Sequence, residues 1–312
     1  MKLFSAIVAA FSLIIMCSLA QASAVLVDAK GDVKVKQGKR EAAAKIGDEL
    51  ADGAVVRVGK GSSASLLSEA GSIDEIGPGK SYTVGKAAEA NSTKLGGRIA
   101  VAMREMAAKG EGPTVHGMVK EAGGPRPVRI DFDKLGGAGL TALYPSGTAV
   151  RLGHVVEFRW SEPIGKGWVR PALALFDRSG QRIALEKLKA GDRSFRGSAS
   201  KLGLKRGASY KWFLAVNDGG LRSRTPEYKF STLSEGDERS LAGDLSKVAK
   251  LGFSDDGRAL LDAQVYFGHG MYDEAVRTLE PSCAGSPSPF AKKLLHMSYM
   301  RMGRISEAKK YE

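Results

Sequence analysis

The chain has 312 residues, 47 of them basic and 34 acidic, for a net charge of +13, and 43% are hydrophobic. A chain of this length predicts two or three hydrophobic cores. Its two cysteines, Cys17 and Cys283, exclude a disulfide-built scaffold, since the first lies in an expected leader and leaves the second without a partner.

The leader is residues 1–24. Lys2 precedes an apolar run from Leu3 to about Met16, and Ala22 and Ala24 form a small-x-small pattern, so a secretory signal peptide is expected with a cut after Ala24. The run is shorter than the roughly 20 residues a spanning helix needs. Met16 before Cys17 is unlike a lipidation site, and no later stretch is apolar for long enough to cross a bilayer. The expected location is periplasmic or secreted.

Residues 25–85 contain short alternating runs, such as Val33 with Val35, Val56 with Val58 and Ala64 with Leu66, bounded by glycine-rich turns. This pattern predicts a compact all-β unit. Gly31-Asp-Val33-Lys-Val35, the segment Gly47 to Val56, Gly61-Ser-Ser-Ala64-Ser-Leu66 and Pro78-Gly79-Lys80-Ser81-Tyr82 together resemble the FecR-type domain. The best-known members of that family relay signals to a sigma factor from behind a cytoplasmic segment and a membrane helix. Here a leader stands directly ahead of the domain, so the resemblance implies a free-standing exported member without catalytic residues.

Residues 86–141 are expected to connect this unit to the next. Ile99, Ala102, Met103 and Met106 recur at helical spacing and predict an amphipathic helix packed on a neighbouring unit, capped by Ser92 or Thr93 and ended by Gly110. The Gly- and Pro-rich stretch after it reads as a linker.

Residues 142–232 hold seventeen basic and seven acidic side chains, a net of +10. Tyr210, Trp212, Leu214 and Val216 alternate with Lys211, Phe213 and Ala215, Asp177 to Gly180 reads as a hairpin turn, and Val156, Phe158 and Trp160 are expected to face Trp212. Phe158-Arg-Trp160, the run from Leu204 to Trp212 and Tyr228-Lys-Phe230-Ser-Thr232 resemble a fibronectin type III or immunoglobulin-like sandwich. Lys187, Lys189, Arg193, Arg196, Lys201, Lys205 and Arg206 are a candidate anion-binding cluster, weighed against a solvated basic surface. Outside the cytoplasm the anions on offer are acidic polysaccharide and lipid headgroups, and no nucleic acid is expected.

Residues 233–312 turn helical. A shift of 33 residues aligns Tyr266 with Tyr299, Gly270 with Gly303, Glu274 with Glu307 and Ala275 with Ala308. Ala263, Tyr266, Gly270, Tyr272, Ala275 and Leu279 fall at the small, aromatic, turn and apolar positions of a tetratricopeptide repeat, which this segment resembles, and Tyr299, Gly303 and Ala308 extend it into a second copy. So short an array is expected to lean on the β modules or on a partner.

No nucleophile elbow, phosphate loop, dinucleotide fingerprint or metal-ligand spacing is present, so neither enzyme activity nor a cofactor is expected. Asp74 with Glu75 and Asp255 with Asp256 read as turn or cap residues. The expected function is a non-enzymatic scaffold or adaptor that binds another envelope protein through its helical repeats. The alternatives are a basic module holding anionic glycan, and a ligand-sensing part of envelope signalling.

Overall fold

The computed structural model describes residues 22–86, 91–107, 140–153, 155–165, 169–218, 221–283 and 287–312. The expected leader up to residue 21 and most of the expected linker, residues 108–139, lie outside them.

The first unit contains nine strands: β1 (Ala22–Lys30), β2 (Val33–Gln37), β3 (Arg40–Ala43), β4 (Glu49–Ala51), β5 (Val55–Val58), β6 (Ser63–Ser68), β7 (Ser72–Ile76), β8 (Ser81–Thr83) and β9 (Asn91–Lys94). They form one sheet in the order β4-β1-β6-β7-β9 and a second in the order β3-β2-β5-β8. Leu26, Val35, Leu50, Val56 and Leu66 fill the interior shared by the two sheets. The first sheet is also apolar on its reverse face, where Val25, Val27, Leu67 and Ile73 are fully buried in a different core. A strand buried on both faces reads as a continuous apolar run, as Ala-Val-Leu-Val does in β1. Each of those four side chains is worth about 1.5–3 kcal/mol of burial. Leaving them bare would forfeit about 6–12 kcal/mol, comparable with the whole stability of a domain, so this sheet requires its helical cover.

That cover begins with α1 (Gly97–Ala107), whose buried residues are Ile99, Ala102, Met103 and Met106, the face expected from spacing. Its start differs from expectation. Ser92 and Thr93 do not cap it, because they lie in β9, the fifth strand of the first sheet, paired with Asp74 and Ile73. Asp74 and Glu75 are therefore strand residues of β7 rather than turn residues, and the β unit extends past residue 85.

The second unit is a sandwich of β10 (Ala142–Tyr144), β11 (Ala149–Val150), β12 (Val155–Trp160), β13 (Val169–Asp177), β14 (Arg182–Lys187), β15 (Ser194–Ser198), β16 (Ser209–Asp218), β17 (Leu221–Arg224) and β18 (Tyr228–Thr232). One sheet runs β10-β12-β15; the other runs β11-β18-β16-β13-β14, with β17 on β16. Tyr210, Trp212 and Leu214 point inward as their alternation requires. The Phe158 ring meets Trp212 edge-on at 5.2 Å and Phe230 at 5.9 Å. Trp212 donates its Nε1–H to the Pro145 carbonyl at 2.7 Å, which leaves the largest core side chain with no unpaired polar atom. Asp177 to Gly180 forms the expected turn between β13 and β14, with Asp177 N–H donating to Gln181 O.

The helical unit comprises α2 (Glu235–Lys250), α3 (Asp255–Gly268), α4 (Tyr272–Leu279), α5 (Pro289–Arg301) and the short α6 (Ile305–Ala308). Ser234, Ser254 and Ser288 cap α2, α3 and α5 by accepting N–H bonds from Asp237, Gly257 and Ala291. The hairpins α3–α4 and α5–α6 turn at Gly270 and Gly303, whose φ values of 73° and 75° suit glycine. Leu260, Leu261, Ala263, Gln264, Val265 and Phe267 bury α3 on most of its circumference. Together α1 to α6 and the reverse face of the first sheet enclose one continuous core.

The expected cut after Ala24 falls within β1. Ala24 is 3% exposed, inside the first core, and is paired with Leu50 on β4 and Ser68 on β6. The Ser23 carbonyl accepts from the Glu69 N–H at 3.0 Å. Cutting there would strip the opening residues from a central strand. Ala20-Gln21-Ala22 offers an earlier small-x-small site, so an exported mature chain is expected to begin at or before Ser23. Intact-mass measurement of the secreted protein reads this directly, and a chain starting at Val25 would show that β1 forms without Ser23 and Ala24.

Candidate functional site

The sequence offered two sets of candidate residues, and the structure treats them differently. Ala263, Ala275, Leu279, Tyr299 and Ala308 are all buried in the helical core, and Tyr266 and Tyr272 pack against it. Tyr272 lies edge-on to Phe267 at 5.2 Å, while Tyr299 stacks on Tyr311 and donates to Glu280 at 2.6 Å. Gly270 and Gly303 form the turns. These residues hold the hairpins together, and of them Gly270 and Tyr272 also line an open cleft.

Both turns are occupied from within the chain. The segment joining β10 to β11 reaches across to them. Ala149 N–H donates to Gly270 O at 2.8 Å, the Thr148 hydroxyl donates to the same oxygen at 3.3 Å, and the Ser146 hydroxyl donates to Met302 O at 3.0 Å. Between them Gly147, at φ 59°, lies so close to the α5 end that a Cβ would stand 2.2 Å from Arg301 O and 3.0 Å from Met302 Cα. One short sandwich segment thus grips two turns that lie 33 residues apart in sequence.

A charged cluster seals the same junction. Asp273, with its side chain 3% exposed, takes Arg277 Nε at 2.6 Å and Arg159 Nη2 at 3.3 Å. Both guanidinium groups lie 5.2 Å from the centre of the Tyr144 ring. The Tyr144 hydroxyl is pushed well above its ordinary value, chiefly by burial and then by Glu274 and Asp273. Glu274 is pushed up to about 7, first by burial and second by the Asp273 charge. Its Oε2 is buried without a hydrogen-bond partner among the described residues. A buried carboxylate cluster of this kind is poor evidence for net stabilisation but strongly fixes geometry, because removing one partner strands the others.

The first sheet docks on the helices through a second polar pin. Asp28, 4% exposed, accepts from Ser254 N–H at 3.2 Å and from the Ser254 hydroxyl at 2.6 Å, at the cap of α3. A third pin gathers three elements. Asp244 on α2 accepts from Gly96 N–H at 2.9 Å with one oxygen and faces His269 Nε2 at 3.3 Å with the other.

The candidate basic residues are distributed over several elements, and three of them are paired with glutamates. Lys187 ends β14 and Arg196 lies in β15, which are the open edge strands of the two sandwich sheets, and Lys189 and Arg193 stand in the loop between them. Arg196 pairs with Glu157 at 3.1 Å, Lys201 with Glu186 at 3.4 Å and Arg206 with Glu238 at 3.2 Å. Charges on an edge strand, here Lys187 and Arg196, oppose pairing with a foreign strand. A different basic set, Arg98, Arg178, Lys211 and Lys229, lines a cleft of about 780 Å³ between the outer face of β16 and β18 and the α3–α4 turn. Sequence reasoning missed it because the four residues come from four elements; the only local signal was the alternation that places Lys211 opposite Tyr210 and Trp212.

Among the described residues no group of three or more His, Cys, Asp or Glu is placed to hold a metal ion, and no helix is long and apolar enough to cross a membrane. His116 and His154 lie outside those residues, and Cys283 is a free thiol. No protein-family model and no curated relative matches the chain. Among solved structures, the chain is similar to CopC from Methylosinus trichosporium OB3b, at 19% identity, covering 31% of this chain and 94% of that one with a TM-score of 0.24. It is also similar to the FN1–FN3 domains of chicken CNTN1, at 8% identity, covering 66% of this chain and 57% of that one with a TM-score of 0.22. Neither likeness assigns a family.

Proposed function

We propose that this chain is an exported, non-enzymatic scaffold of the cell envelope, in which a tetratricopeptide-like helical brace fixes a FecR-like β unit and a fibronectin-like sandwich and binds another envelope protein. The observation that carries the reading is the segment Ser146 to Ala149, which holds both repeat turns at once. A repeat whose inner faces and turns are consumed inside the chain serves first to fix its neighbours. Among its described residues the exposed large apolar side chain is Ile305 on α6, 47% exposed, close in sequence to Lys309 and Lys310. A rigid platform displaying such a patch suits protein recognition, since apolar anchors ringed by polar groups carry most interface energy.

The test is affinity capture from envelope extract with the full mature chain and an Ile305→Glu variant, at low and high salt, with captured proteins identified by mass spectrometry and the variant's fold checked by circular dichroism. One protein held in high salt by the wild type and released by Ile305→Glu is the expected result. Retention of acidic glycan alone, lost in salt and indifferent to Ile305→Glu, would sink the adaptor reading in favour of the glycan-binding one.

A further inference from the structure

Where the first sheet runs out from under the helices, its reverse face forms a small cleft against the α2–α3 loop, and the scaffold reading gives that cleft no task. We propose that it binds a small zwitterion, an amino acid or a dipeptide, with its ammonium held by β1, β6 and β7 and its carboxylate by Lys80. The space is about 250 Å³, a little below the roughly 300–1,000 Å³ of sites for larger ligands, so its guest is small.

The floor is a row of three register partners. Asp28 on β1 lies opposite Ser65 on β6, and Ser65 lies opposite Glu75 on β7. All three line the cleft. Ser65 and Glu75 share a face with Leu67 and Ile73, which stand two positions away on the same strands and are buried under the helices. The sheet therefore turns from apolar to polar where its helical cover ends, and the polar groups there are not satisfied from within. Ser65 is 7% exposed, and its hydroxyl has no hydrogen-bond partner among the described residues. Asp28 spends Oδ1 on Ser254, whereas Oδ2 has only the Lys30 ammonium, at 3.8 Å, beyond hydrogen-bond reach. Lys30 is held there by donating to Gly252 O at 2.5 Å. Glu75 forms no ion pair among the described residues. Buried acceptors left without donors are costly. An ammonium group has three donors, enough to meet both carboxylates and the Ser65 oxygen at once.

The rest of the lining says what that ammonium must carry. Lys30 and Lys80 balance Asp28 and Glu75, so the cleft has no net charge to draw a simple cation or a simple anion. Lys80, ahead of β8, is exposed and makes no ion pair among the described residues. A guest with a carboxylate at its other end gains a second charge-assisted hydrogen bond there, and such bonds are the strong ones. Leu251 and Phe253 supply an apolar wall for its side chain. A guest so placed touches both the sheet and the loop that leads into the Ser254 cap of α3.

The experiment follows the backbone amide signals of the isotope-labelled full chain during titration with L-alanine, L-leucine and alanyl-alanine, each to about 10 mM. At least one is expected to saturate, with shifts centred on Ser65, Glu75 and Phe253. Its analogues lacking either the carboxylate or the ammonium should bind at least about tenfold more weakly. Glu75→Gln and Lys80→Gln alter a half-buried and an exposed side chain and should each weaken binding at least about tenfold. Glu69→Gln, in the β6–β7 turn outside the cleft, should change it less than about twofold. Asp28 is left intact because it also holds Ser254. No saturable shift with any of the three, shifts scattered over the surface, or unchanged affinity in Glu75→Gln would overturn the proposal. An amine analogue that binds as tightly as its parent would overturn it too, by showing a plain cation site.

Discussion

Gly147→Ala is expected to divide thermal unfolding into two separable transitions and to destabilise the helical unit by about 3–5 kcal/mol. Two effects add. The residue sits at φ 59°, where a side chain costs about 1–2 kcal/mol. Its new Cβ would also stand 2.2 Å from Arg301 O, a backbone atom that cannot swing aside as a flexible side chain would. Relief requires the segment to lift, which removes the hydrogen bonds from Ser146, Thr148 and Ala149 to the two turns, each worth about 0.5–1.5 kcal/mol net. Gly180→Ala is the matched control. It has φ 85° and nothing within 4 Å of its added Cβ, so it carries the backbone strain without the collision and should lower the transition by about 1–2 kcal/mol while leaving it single. Differential scanning calorimetry of both variants reads the difference. If Gly147→Ala behaved like Gly180→Ala, the sandwich would not depend on this contact for its seat on the helices.

How far the sequence foretold this arrangement depends on the range of the signal. Ile99, Ala102, Met103 and Met106 announce a buried face because helical spacing is local, and the same is true of the alternation from Tyr210 to Leu214. The 33-residue shift picked out Gly270 and Gly303 as turns because both must reverse the chain in the same way. Nothing local shows what meets those turns. Nothing in the run from Tyr144 to Thr148 announces its partner, yet Gly147 is needed for a contact with Arg301, over 150 positions later. The basic residues illustrate the same limit of range. Lys187 to Arg206 are close in sequence but fall on two different strands and the loops beside them, whereas Lys211 and Lys229 are eighteen positions apart and directly opposed. Density along the chain is a poor guide to density in space when strands intervene. The reverse face of the first sheet was half legible: Val25, Leu26 and Val27 in succession are what a strand buried on both sides requires, but they do not say which helix covers it.

Glu274→Gln is expected to stabilise the protein at pH 8 by about 3 kcal/mol and by less than about 1 kcal/mol at pH 5. Burial and the Asp273 charge push the Glu274 carboxyl up to about 7 from an ordinary value of 4.5. Between those two values the folded chain keeps a proton that the unfolded chain has released. Stability therefore falls as pH rises through this window and is fully reduced once pH exceeds the folded value. The charged groups around it are Asp273 and Arg277 on α4 and Arg159 on β12; the two arginines pull the carboxyl down but do not offset burial. Asp273 is itself raised, again chiefly by burial, and deepens the same trend at lower pH. A glutamine keeps the shape and has no charge to desolvate, so the variant's stability should be nearly flat where the wild type declines. Urea unfolding of both proteins at pH 5, 6.5 and 8 measures the gap, and parallel pH profiles would show that the Glu274 charge reaches solvent or finds a partner at the junction of sandwich and helices. If the gap opens as expected, the junction that fixes the sandwich is held more tightly in mild acid than at neutral pH, and the Gly147 contact and the Glu274 proton stabilise the same seam.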